Sequence, residues 1–174
     1  MRTTYIMTRI LIIGAGRSSS SLIDYLLSNA EAHQWHITIA DANKVAVESK
    51  IEKYKNSAKA VAFDVTNQAL RSSLISESDF VISMLPAFMH GDVARDCVRL
   101  GKHLATASYV SDVMKELDAE AKQKQILLLN ECGLDPGIDH ASAMKVIDEI
   151  KSKGGKITSF KSFCGLILTV CRKT

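Results

Sequence analysis

An apolar run, Arg9-Ile10-Leu11-Ile12-Ile13, passes directly into Gly14-Ala15-Gly16 and then into a stretch with Leu22, Ile23, Leu26 and Leu27 on one helical face. That order constrains the fold more than any other feature of the chain. A strand without polar alternation has to be covered on both faces, which is the situation of a parallel sheet in an α/β domain. A glycine turn that ends such a strand and opens a helix starts a β-α unit.

The alternation continues along the chain. Residues 36–40 predict a second strand, 43–55 a polar helix, 60–65 a third strand and 67–74 a short helix. A fourth strand over 79–85 ends at Pro86, and a helix from 88 closes at Gly101 as a C-cap. Residues 102–107 and 125–130 read as strands five and six. The helix between them, 111–124, has Ser111 at its N-cap and acids early in it. A last helix, 139–155, ends at glycines. These units predict an α/β fold, one doubly wound parallel sheet, over residues 8–165, followed by an atypical tail at 166–174. Met7 is an alternative start that makes residues 1–6 an extension.

A chain of 174 residues can bury a real core, and 47% hydrophobic with 24% charged residues is a globular composition. The net charge of +3 is small and the basic residues are scattered, so no nucleic-acid partner is expected. Cys97, Cys132, Cys164 and Cys171 show no C-x-x-C spacing, so neither zinc nor another metal is expected. Reduced, buried or half-buried thiols fit a cytoplasmic protein. The apolar run near the start is too short to span a membrane, and it leads into a glycine turn rather than a cleavage site.

The chemistry begins at Gly14-Ala15-Gly16-Arg17-Ser18-Ser19. In a phosphate-binding turn the first glycine permits the turn and the second lets the backbone approach a pyrophosphate. The third position must be small, and here it holds Ser19 where glycine or alanine is usual. Amides at the helix start would carry the anion. The alternative is a bare structural turn. Asp41 ends the second strand 25 residues after Gly16, where a carboxylate accepts hydrogen bonds from a ribose diol and repels a 2′-phosphate. NAD is therefore expected, while Arg17 and Lys44 keep NADP open. Asp41 read alone is a helix cap. Asp64, at the end of the third strand, is a candidate for the adenine amine. Leu85 and Pro86 leave the fourth strand where such a cofactor would cross the sheet.

Three segments, 83–90 (SMLPAFMH), 106–111 (TASYVS) and 130–140 (NECGLDPGIDH), resemble the saccharopine dehydrogenases of the glutamate-forming type. The likeness runs from about residue 8 to Gly165. It implies a Rossmann-type NAD(P)-binding domain and oxidation of saccharopine to glutamate and aminoadipate semialdehyde, or the reverse. By resemblance, Ala107 and Ser108 lie by the nicotinamide, and Ser108, Tyr109 and Asp135 face an amino-acid substrate. Asp135 would pair with an ammonium or with the secondary amine. Tyr109 and His140 are the candidates for proton transfer. Each also has a plain structural reading, His140 as a helix-end residue and Tyr109 as a packing residue. Pro136-Gly137 is at minimum a rigid turn, and Cys132 and His90 read as structural.

After Gly165 the sequence Leu-Ile-Leu-Thr-Val-Cys-Arg-Lys-Thr departs from the family pattern, in which a large substrate and dimerisation domain follows. The expectation is a chain that binds NAD and turns saccharopine over poorly. The alternatives are a related imine reductase of the carboxynorspermidine type, or a non-catalytic module that binds a dinucleotide or a partner. An edge left bare by an absent domain would favour a homodimer.

Overall fold

The strands run β1 Thr8–Ile13, β2 Trp35–Asp41, β3 Ala58–Ala62, β4 Phe80–Ser83, β5 His103–Thr106 and β6 Leu128–Leu129, in a computed structural model that describes residues 7–54 and 56–163. All pairings are parallel and the sheet order is β3-β2-β1-β4-β5-β6. This is the doubly wound order, with its reversal between β1 and β4. The helices are α1 Ser20–His33, α2 Lys44–Ile51, α3 Gln68–Ser76, α4 His90–Leu100, α5 Asp112–Gln123 and α6 Ile138–Ser152. Among the described residues no helix is long and apolar enough to cross a membrane.

The unbroken apolar β1 is explained by two cores. Successive strand side chains point to opposite faces. Ile10 and Ile12 pack with Ile23, Leu26 and Leu27 of α1 and Val47 and Ile51 of α2. Leu11 and Ile13 pack on the other side with Ile75 of α3, Val93, Ala94 and Cys97 of α4, and Met114 of α5. Each fully buried isoleucine contributes roughly 1.5–3 kcal/mol, so a polar residue at either face of β1 would be costly.

Three expectations are corrected. β3 ends at Ala62, so Asp64 lies in the loop beyond it, folded back into an Asp64–Thr66 turn. β6 pairs through two residues rather than six. The polar helix stops at Ile51 and continues as a 3₁₀ turn over Glu52–Tyr54. The last helix, α6, buries none of its residues, and Ile138, Met144, Val146 and Ile150 are exposed. Its amphipathic pattern has no facing layer among the described residues. The expected tail at 166–174 and the proposed extension at 1–6 lie outside the described residues.

Candidate functional site

Because every strand is parallel, all six carboxyl ends open on one edge, and the β1–β4 reversal leaves a crevice there. The candidate residues sit in the loops on that edge. At the end of β1, Gly14 takes φ +97°, and a Cβ there would stand 3.0 Å from the Met84 carbonyl oxygen. Only glycine lets β1 turn this close to β4. Gly16 has ordinary φ, −63°, and a Cβ there would meet nothing within 4 Å. Its open side is space that a ligand can enter.

Ser19 shows why serine suits the third position. It is fully buried, and its hydroxyl donates to the Gly16 carbonyl at 2.8 Å, so the polar group is satisfied inside the turn. Gly14 N–H donates to the Ala40 carbonyl and Ala15 N–H to the Asp41 carboxylate. The amides of Gly16, Arg17 and Ser18 have no acceptor among the described residues. Three free donors at the start of a helix run form a ready anion cradle.

Asp41 is fixed by two main-chain donors: Ala15 N at 2.6 Å on Oδ2 and Asn43 N at 2.8 Å on Oδ1. Asn43, not Asp41, caps α2, accepting from Ala46 N. The capping alternative for Asp41 is thus corrected. Two of the three cations around the loop are engaged. Lys44 pairs with Glu48 at 3.2 Å, and Lys50 donates to the Ala15 carbonyl at 2.9 Å, which leaves Arg17 exposed at the turn.

Gly14, Asp41, Asp64 and Leu85 line one cavity of about 370 Å³ with Ala42 and Phe63. Asp64 spends Oδ1 on the Thr66 amide and hydroxyl, and these bonds lower its pKa. Its loop is anchored from below: buried Arg71 donates to the Val65 carbonyl at 2.6 Å and to Asp96 at 2.7 Å. Pro86 is exposed and lines neither this cavity nor the next.

Ala107, Ser108, Tyr109 and Asp135 line a second cavity of about 380 Å³. Main-chain bonds join the two segments that form it: Glu131 N–H donates to the Ser108 carbonyl and Cys132 N–H to the Thr106 carbonyl. Across this seam the Tyr109 hydroxyl donates to Asp135 Oδ1 at 2.7 Å, which raises the phenol's pKa. Tyr109 is 61% exposed, so its reading as a packing residue is corrected. His140 Nδ1 lies 2.8 Å from Asp139 Oδ1, which raises the imidazole's pKa. Asp135, Asp139 and His140 present ligand atoms within 4.8 Å of one another on the surface, but His140 does not line the cavity.

Three residues of this edge were missed in the sequence. His90 was read as merely structural, yet it borders the second cavity. Asn130 lines the same cavity, and its buried Oδ1 has no partner among the described residues. Its place at the head of the 130–140 segment was the available signal. Lys50 had none. Of the cysteines, Cys97 is buried and its thiol pushed up to about 12 by desolvation, whereas Cys132 is exposed, which corrects its expected burial. Cys164 and Cys171 lie outside the described residues.

The family model "Saccharopine dehydrogenase NADP binding domain" matches residues 10–129, and "Saccharopine dehydrogenase C-terminal domain" matches residues 133–172. The junction between the two matches precedes α6, and the second includes part of the expected tail. Saccharopine dehydrogenase (NADP(+), L-glutamate-forming) of Schizosaccharomyces pombe is 39% identical over 159 residues, 91% of this chain and 34% of that one. The alpha-aminoadipic semialdehyde synthase of Arabidopsis thaliana is 38% identical over 172 residues, 90% of this chain and 16% of that one. The apo saccharopine dehydrogenase (L-Glu forming) of Saccharomyces cerevisiae superposes with a TM-score of 0.76 at 32% identity, covering 87% of this chain and 33% of that one. The chain thus spans about a third of the length of its fungal relatives.

Proposed function

Because this chain belongs to the saccharopine dehydrogenase family, with a Rossmann-type nicotinamide-dinucleotide domain, we propose that it binds NAD at residues 14–19 and 41 and forms the dinucleotide half of a saccharopine-oxidising site. The observation that carries this reading is the row of free amides at Gly16, Arg17 and Ser18 beside a carboxylate fixed at Asp41.

The preference for NAD rests on that fixity. A carboxylate held by two main-chain amides does not swing away cheaply, and a 2′-phosphate brought to within about 4 Å of it would be repelled by several kcal/mol. A second reading, NADP, is favoured by the NADP-binding family match, by the NADP(+)-dependent fungal relatives and by exposed Arg17. Calorimetric titration of the chain with NADH and with NADPH decides between them. Tighter NADH binding is expected; tighter NADPH binding supports the second reading, and no heat from either overturns both.

When bound, the dinucleotide supplies the hydride acceptor for the carbon beside the secondary amine of saccharopine; water then hydrolyses the resulting substrate imine to glutamate and aminoadipate semialdehyde. The chain's own residues hold the amine and its proton. Asp135 receives the substrate nitrogen by charge pairing, and the Tyr109 hydroxyl keeps its proton at neutral pH as the hydrogen-bond donor that orients Asp135. Between the two proton-transfer candidates the cavity favours Tyr109 over His140.

A further inference from the structure

Behind the second cavity stand three polar side chains in a row. Ser83, at the end of β4, is fully buried, with Oγ 2.9 Å from His90 Nδ1. His90 opens α4 and is 4% exposed; its Nε2 lies 2.9 Å from Ser108 Oγ. Ser108 borders the cavity. Burial pushes the imidazole's pKa down, so the ring is neutral near pH 7 and carries one proton for two nitrogens.

The position of that proton sets the direction of both hydroxyls. If it sits on Nδ1, the ring donates to Ser83 Oγ. The Ser83 hydroxyl hydrogen is then left with no acceptor among the described residues, in a site closed to water. A buried donor without a partner is costly. If it sits on Nε2, Ser83 donates to Nδ1, Nε2–H donates to Ser108 Oγ, and every buried donor is used. The Ser108 hydrogen then points away from the ring, and the bond that Ser108 accepts makes it a stronger donor.

We propose that Ser83 and His90 are positioning residues that fix the Ser108 hydroxyl as a hydrogen-bond donor into the cavity, where it receives an acceptor oxygen of the ligand. This rests on the reading of that cavity as a ligand site. The oxygen belongs to a carboxylate of an amino-acid substrate or to the carboxamide of a nicotinamide. The donor at Ser108 complements the Asp135 carboxylate and the orphaned Asn130 Oδ1, both acceptors on the same cavity.

A long-range ¹H–¹⁵N correlation spectrum of the labelled 174-residue chain at pH 7, with the His90 signals assigned by His90→Gln, reads which nitrogen bears the proton. Protonation at Nε2 alone is expected. Protonation at Nδ1, or an imidazolium, overturns the proposal, and this arm is independent of whether a dinucleotide binds. Ser83→Ala removes the deciding donor without touching the cavity. The variant should show mixed tautomers and bind its acceptor-bearing probe about threefold to tenfold more weakly, the range of one hydrogen bond. Ser83→Thr, which keeps the hydroxyl, should restore both. Weakening for glutamate alone assigns the oxygen to a carboxylate, and for NAD alone to the carboxamide. A Ser83→Ala chain with a pure Nε2–H ring and unchanged affinity for both probes sinks the proposal.

Discussion

The Ala15 amide donates to the Asp41 carboxylate at 2.6 Å, latching the end of β2 to the turn after β1. One oxygen of Asp41 therefore braces the glycine loop while the other braces the turn into α2 through Asn43. The group that would read the ribose also shapes the phosphate cradle. In the proposed dinucleotide site, selectivity and loop geometry would be coupled through this one side chain.

Asp41→Ala should accordingly weaken NADH binding about tenfold, equivalent to about 1.4 kcal/mol. It should also narrow or reverse the gap to NADPH, since the fixed negative charge is gone. Paired titrations with the two reduced dinucleotides measure this. An unchanged ratio of affinities would remove Asp41 from the selectivity argument.

The two loop glycines should separate stability from binding. Gly14→Ala forces φ +97° on a residue with a Cβ, 3.0 Å from the Met84 carbonyl, and should destabilise the chain by about 1–3 kcal/mol. Gly16→Ala meets no protein atom within 4 Å and should alter stability by no more than about 0.5 kcal/mol, while its methyl blocks the approach of a phosphate. Urea unfolding and NADH titration of both variants check the contrast. Undiminished NADH binding by Gly16→Ala would place the diphosphate elsewhere.

Asp96 receives two arginines, buried Arg71 at 2.7 Å and half-exposed Arg99 at 2.7 Å. Asp96→Ala leaves the Arg71 guanidinium buried beside no carboxylate, a change that typically costs about 3–5 kcal/mol. Denaturant unfolding should show a loss of that size. Because Arg71 also holds the Val65 carbonyl, hydrogen exchange should rise in the 63–67 loop; protection there as in the unmutated chain would show that the anchor is dispensable.

The surface pair His140–Asp139 gives a pH prediction with a definite sign. The imidazole's pKa is raised, chiefly by its hydrogen bond to Asp139. The pair's stabilisation is therefore fully present below the unfolded histidine value of about 6.5 and is lost as pH rises through the higher folded value. Proton NMR should find the His140 midpoint above about 6.5, the unperturbed value, and Asp139→Asn should lower it. A midpoint unmoved by that substitution would deny the coupling.

Much of the edge was legible in the sequence because its signals are local. The glycine turn, Ser111 as a cap accepting from Met114 N–H, and Gly101 closing α4 at φ +68° all depend on a few neighbouring residues. The 106–111 and 130–140 segments were legible as motifs, and the structure joins them through Tyr109 and Asp135. The unpacked α6 was not legible: its apolar spacing promises a buried face, but spacing cannot say whether another layer arrives to cover it.

The sequence by itself determined the β-α alternation, the parallel sheet and the phosphate-type turn, since periodicity and turn chemistry act over one strand or one helical turn. Only the tertiary structure decided that Asp41 would lock Ala15, that Arg71 would be buried against Asp96, and that His90 would stand between Ser83 and Ser108. Ser83 and His90 flank the single connection between β4 and α4, but most of these partners come from different β-α units. They meet through strand order and register, which are fixed by packing on both faces of the sheet at once.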